Sequence, residues 1–229
     1  MIYLILAIAP AIAFVLYTYY RDKQEREPVG LLIKVFFYGA LSILPAVYLE
    51  VKFGIENTNL FNTAYTTFLI IAGAEEGCKY LFMRWAAYNK KAFNEPFDGI
   101  VYCVMIGMGF AATENVMYVF QSENPMSTAL LRMLTAVPAH FTFAVIMGYY
   151  IGLAKFNPGK RIMYTLMGVG GAMLFHGLYD FFLIQKEYPY IFLGAFVSLF
   201  IALRLSLKAL KIQSENSRTF MDYVNNPPK

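Results

Sequence analysis

Residues 60–86 read LFNTAYTTFLIIAGAEEGCKYLFMRWA, an apolar run broken near its middle by Glu75, Glu76 and Lys79. An α-helix needs about 20 residues to cross the ~30 Å of hydrocarbon in a bilayer, and this run is longer. An Asp, Lys or Arg at the centre of such a helix costs about 2.5–3.5 kcal/mol on insertion scales, so charges there need partners and a reason to be kept. The spacing supplies partners. Glu75 and Lys79 stand at i,i+4 and Glu76 and Lys79 at i,i+3, so all three can share one helix face. The lysine can neutralise one carboxylate and leave the other for chemistry. Gly73 and Gly77 bracket the glutamates in a GxxxG pattern, which predicts close approach of a neighbouring helix backbone.

Six further apolar runs lie on either side, at about 2–20, 31–49, 97–120, 128–154, 162–184 and 189–207. The expected fold is all-α, a polytopic bundle of about seven transmembrane helices. Composition agrees: 59% of the 229 residues are hydrophobic and 15% charged, against roughly 25% charged in a soluble domain. Mean hydropathy is +0.49. Tyrosines gather near run ends, as at Tyr17, Tyr19, Tyr20, Tyr188 and Tyr190, where an amphipathic ring suits the interface. Cys78 and Cys103 lie in apolar runs without a CxxC partner and read as core thiols. Neither a Gly/Ser/Pro linker nor an internal repeat divides the chain. Residues 1–212 therefore read as one membrane domain and 213–229 as a polar, mobile cytoplasmic tail.

The net charge of +4 calls for no nucleic-acid partner, because the basic residues sort by membrane side. Arg21, Lys23, Arg26 and Lys34 follow the first run, which lacks the basic leader of a cleavable signal. Arg84, Lys90 and Lys91 follow the third, Lys155, Lys160 and Arg161 the fifth, and Lys208, Lys211 and Arg218 the last. The remaining connections carry roughly one base each: Lys52, Arg132 and Lys186. The positive-inside rule then places the N-terminus outside and the C-terminus in the cytoplasm, as an odd number of spans requires.

Polar residues recur in four spans: Glu75, Glu76 and Lys79 in the third, Glu114 and Asn115 in the fourth, His140 in the fifth, His176 and Asp180 in the sixth. His176 and Asp180 are again i,i+4, and a carboxylate commonly orients a functional imidazole. At 1.5 Å per residue, Glu75 and His140 lie roughly 18–20 Å below the outer surface, His176 about 12 Å, and Glu114 and Asp180 about 6–9 Å. The set predicts a polar cavity open to the outside. Each group alone has a plainer reading: a buried ion pair fixing register, an interior hydrogen-bonded histidine, an interhelical Glu–Asn contact. A proton-coupled transporter uses such residues too, but would be expected to bring inverted repeats.

The motifs also resemble a known family. Glu75-Glu76-Gly77-Cys78-Lys79 matches the EExxK motif of the PrsW intramembrane proteases, and Phe97-Asp98-Gly99-Ile100-Val101-Tyr102 is similar to their FDGIVY. Gly109-Phe110-Ala111-Ala112-Thr113-Glu114-Asn115 resembles GFAxxEN, His140 falls where a further histidine is expected, and His176-Gly177-Leu178-Tyr179-Asp180 resembles HGxYD. Arg21-Asp22 with Glu27-Pro28 resembles the family's N-terminal pattern. The resemblance runs through nearly the whole chain. It implies a multi-pass endopeptidase of the bacterial plasma membrane, related to the CAAX-prenyl endopeptidase and bacteriocin-processing superfamily. It further implies a single-pass membrane protein as substrate, with the first, extracytoplasmic cut in an anti-sigma factor of envelope-stress signalling as the family expectation.

On this reading Glu75, Glu76, His140 and His176 are the catalytic candidates, with Lys79, Glu114, Asn115 and Asp180 in support. A glutamate partly withdrawn from water, with His140, can take a proton from water. His176 oriented by Asp180 can stabilise the oxyanion or protonate the leaving amine, and Asn115 can add a donor. The same set suits Zn²⁺ held by His140, His176 and one of Glu75, Glu76 or Glu114, although no HExxH is present. Both the metal-dependent and the metal-free mechanism stay open at this point.

Overall fold

The computed structural model describes residues 2–56 and 58–226. Hydrocarbon offers the backbone no hydrogen bonds, so a spanning segment must satisfy its own N–H and C=O groups, which a helix does. Among the described residues all regular structure is helical. α1 (Ile2–Arg21) and α2 (Val29–Phe53) are followed by an unbroken helical rod over 60–88. That rod consists of α3 (Leu60–Ala64), a π-helical stretch (Tyr65–Ile71), α4 (Ala72–Met83) and a second π-helical stretch (Arg84–Tyr88). α5 (Asp98–Gln121), α6 (Pro125–Leu134), α7 (Ala136–Phe156), α8 (Arg161–Ile184) and α9 (Leu193–Asn225) complete the bundle. Six helical segments are long and apolar enough to cross a membrane, and the rod over 60–88 is the seventh expected crossing, set apart by its central charges.

α5 is the axis of the molecule, buried without a break from Asp98 to Ala112, and α7 packs along it. Close approach of the two depends on glycine. A methyl group at Gly99 would collide with the backbone of Gly148 and Gly152, and one at Gly109 with the Phe36 carbonyl of α2. The small-residue contact expected at Gly73 and Gly77 is not there. A methyl at Gly73 would make only ordinary contact, with the Met173 side chain, and one at Gly77 would meet open space. The close helix crossings use Gly39, Gly99, Gly109, Gly148 and Gly152 of α2, α5 and α7 instead, where a methyl group would meet the neighbouring backbone.

Outward faces of α1, α2, α8 and α9 carry exposed Leu, Ile, Val and Phe, such as Leu16, Leu44, Leu166 and Phe200, as a lipid-facing surface requires. Exposed Tyr20 and Tyr190 mark opposite ends of the bundle.

Two elements differ from expectation. The fifth run is two helices, broken at Thr135. Pro138 has no N–H for the Leu134 carbonyl four residues back, and its ring would crowd that carbonyl, so the chain turns there and Pro138 falls in the first turn of α7. The segment from about Gln213, expected as a mobile polar tail, continues α9 as helix to Asn225. Its polar residues are spent on a loop: Gln213 Nε2 donates to the Pro96 carbonyl at 2.9 Å and Ser217 Oγ accepts from Phe97 N at 2.8 Å. Phe220 packs on Phe156 alongside.

Candidate active site

The second turn of α4 carries the core of the site. The π-helical stretch before it, closed by Ala72 N–H to the Thr67 carbonyl, shifts the phase of the rod, and such turns are frequent at functional sites. Glu75, Glu76 and Lys79 are all buried within the bundle. Lys79 does not choose between the glutamates: its Nζ lies 2.9 Å from Glu75 Oε2 and 2.7 Å from Glu76 Oε1. The third ammonium proton points to His140 Nδ1 at 3.2 Å, and the charged head rests 4.0 Å above the centre of the Phe110 ring.

That contact selects the His140 tautomer. With Nδ1 accepting from Lys79, the ring proton sits on Nε2 and is donated to Glu114 Oε2 at 2.8 Å. Glu114 also pairs with Arg132 of α6 at 2.8 Å. His176 lies between carboxylates, with Nδ1 2.9 Å from Glu76 Oε1, and Nε2 3.3 Å from Asp180 Oδ2 and 3.9 Å from Glu75 Oε2. Phe143 stacks on the ring at 4.9 Å between centres and fixes its plane. The i,i+4 pairing of His176 with Asp180 is thus present, with Glu76 added on the other ring nitrogen.

A cavity of about 420 Å³ gives access to this network. Glu75, Glu114, Arg132, His140, His176 and Asp180 line it, and it extends toward the bundle end where α2, α5 and α8 finish, near Glu50, Gln121 and Ile184. Glu76 and Lys79 stand behind this wall, against Cys103 and Gly107. Asn115 is placed otherwise than expected. Its amide donates to the Ala7 carbonyl at 3.2 Å and accepts from Arg132 Nε at 2.7 Å, so it anchors Arg132 and offers no donor to the cavity.

Sequence reasoning missed two lining residues. Arg132 reads as a loop base and Glu50 stands in none of the motifs, because nothing in their neighbourhoods shows that α6 folds back or that the end of α2 faces inward. Among the described residues Glu50 Oε1 is buried without a hydrogen-bond partner.

Glu75, Glu76, His140 and His176 can each offer one donor atom such that all four lie within 4.8 Å of one another. Two carboxylates and two imidazoles suit a borderline divalent ion in type and in mutual distance, with the Lys79 ammonium as the charge now among them.

The model of the PrsW family of intramembrane metalloproteases matches residues 27–207. The chain belongs to that family. It is similar to Protease PrsW of Geobacillus kaustophilus, 35% identical over 190 residues covering 83% of each chain. It is also similar to Protease PrsW of Clostridioides difficile, 34% identical over 93% of this chain and 92% of the relative. Protease PrsW of Bacillus subtilis is 33% identical over 77% of this chain and 80% of its own. No solved structure matches. The protein is therefore a membrane-embedded peptidase, and its all-helical bundle is a membrane protease scaffold with a buried Glu/Glu/His/His group that could bind a metal.

Proposed function

We propose that this peptidase hydrolyses a peptide bond in a single-pass membrane protein, with Glu75 as the general base. The observation that carries this reading is the division of the two glutamates: Glu75 lines the cavity, whereas Glu76 lies behind it between Lys79 and His176. Glu75 accepts a proton as water attacks the carbonyl carbon, and Lys79 keeps the carboxylate placed. His176, oriented by Asp180 and Glu76, passes a proton to the departing amine as the C–N bond breaks. The Arg132 guanidinium and the His140 N–H, both now engaged by Glu114, offer a cation and a hydrogen-bond donor on the side of the cavity where the oxyanion would develop. If Zn²⁺ is bound, Glu75, Glu76, His140 and His176 are the residues to hold it, and the ion would polarise the carbonyl and acidify its water.

The cavity extends to the bundle end opposite the basic connections, which the positive-inside rule assigns to the extracytoplasmic side. That position suits the first cut of a membrane-anchored anti-sigma factor in envelope-stress signalling. Glu75→Ala, Glu76→Ala and His176→Ala should each reduce cleavage of a co-expressed single-pass substrate by at least about 100-fold while the protein still inserts. Full activity in all three would end the assignment to this site. Stoichiometric zinc with loss of cleavage on chelation would favour the metal-dependent form, and undiminished cleavage by metal-free protein the carboxylate–imidazole form.

A further inference from the structure

A second buried group of acids lies at the other end of the bundle, where α1 runs into α2 and the 89–97 loop enters α5. Asp22, Glu27, Glu95 and Asp98 are all at most 4% exposed. Among the described residues none of the four is in an ion pair. The nearby cations are engaged elsewhere: Arg26 lies over the rings of Tyr19 and Tyr20, and Lys155 donates to the Tyr88 carbonyl.

The loop builds this group deliberately. Asp98 Oδ2 accepts from the backbone N–H of Asn94 and of Glu95, both at 2.8 Å, which fixes the carboxylate and turns Oδ1 inward without a partner. Glu27 accepts from the Tyr102 hydroxyl. Among the described residues both oxygens of Asp22 and both of Glu95 are buried without a hydrogen-bond partner. One oxygen from each of Asp22, Glu95 and Asp98 can be chosen so that all three lie within 4.8 Å of one another. Buried carboxylates without donors are costly, and three converging on one point need positive charge between them.

The geometry points to a binding site for a hard divalent cation, of the Mg²⁺, Ca²⁺ or Mn²⁺ class, formed by Asp22, Glu95 and Asp98 with Glu27 alongside. An all-oxygen, carboxylate-rich set selects such ions over Zn²⁺, which prefers nitrogen and sulfur. The ion would tie the α1–α2 connection to the loop that α9 also grips through Gln213 and Ser217. The site is separate in residues and in ligand chemistry from the Glu/Glu/His/His group.

Mn²⁺ titration of the purified full-length protein in detergent, followed by electron paramagnetic resonance after chelator treatment, tests this. The expected result is one saturable site that Mg²⁺ or Ca²⁺ displaces, weakened at least about tenfold by Glu95→Gln and abolished by Asp22→Asn with Glu95→Gln. Glu75→Gln should leave that site intact. No saturable Mn²⁺ in the wild type overturns the proposal, as does binding lost in Glu75→Gln but kept in the double variant. If the double variant fails to insert, Glu95→Gln alone decides: unchanged affinity overturns the site. The competing explanation, in which the acids satisfy one another by sharing protons, predicts no site in the wild type.

Discussion

The two ends of this bundle bury carboxylates in opposite ways. In and behind the cavity wall Glu75, Glu76 and Glu114 are interleaved with Lys79, Arg132, His140 and His176, so each of the three acids has a nitrogen partner at 2.7–2.9 Å. At the far end Asp22, Glu27, Glu95 and Asp98 have no cationic partner among the described residues, only backbone N–H groups on Asp98 and the Tyr102 hydroxyl on Glu27. Fixed partners hold a site in a defined charge state, as catalysis requires. Unpartnered acids leave the charge to be set by what binds, a proton or a cation. One arrangement is built for chemistry, the other for occupancy.

The largest expected effect comes from making the first end resemble the second. Lys79→Met strands two buried carboxylates and should destabilise the protein by about 3–5 kcal/mol, read as a fall in Tm in detergent with loss of cleavage. An unchanged Tm would mean that Lys79 is not the neutralising charge.

A smaller effect should appear at the second end on changing pH. Burial raises Asp22 to about 6, Glu27 to about 7 and Glu95 to about 8. The folded protein therefore keeps protons that the unfolded chain releases near the ordinary carboxylate values of about 4. Stability from these groups is complete below the ordinary carboxylate values of about 4 and is lost as pH rises from there through the folded values of about 6 to 8. Glu25, Arg26 and Lys155 also face this region and act in the same field. In chelator, Tm should fall over that range by several degrees, and excess Mg²⁺ should flatten the fall. A Tm that does not vary with pH in chelator would break the contrast between the ends.

The smallest effect concerns the clamp beneath the acidic group. Gln213→Leu removes the hydrogen bonds to the Pro96 and Tyr149 carbonyls and should cost about 1 kcal/mol. Faster proteolysis beyond residue 213 with cleavage activity unchanged is the expected signature. Equal loss of activity would show that the clamp reaches the cavity.

Much of this was legible without coordinates, for identifiable reasons. The helical class follows from the absence of backbone partners in lipid, and charges in apolar runs are conspicuous because they are expensive there. The i,i+4 spacing of Glu75 with Lys79 and of His176 with Asp180 is a local geometric fact of helices, and both pairs are present. Gly73 and Gly77 misled because a GxxxG pattern states only that a backbone can approach, not that one does. The polarity of residues 213–225 misled because a polar side chain can serve a loop carbonyl as well as water.

What the sequence determined by itself is therefore local or collective: the helical class, the apolar runs, the acids and histidines among them, and the ordered motifs of the family. What tertiary structure alone decided is which atoms face which. It put Glu75 on the cavity and Glu76 behind it, turned Asn115 away to hold Arg132, and gathered Asp22, Glu95 and Asp98 from separate connections. Helical spacing sets which residues share a face, but the direction of that face depends on how seven rods pack, and that is fixed by contacts between residues far apart in the chain.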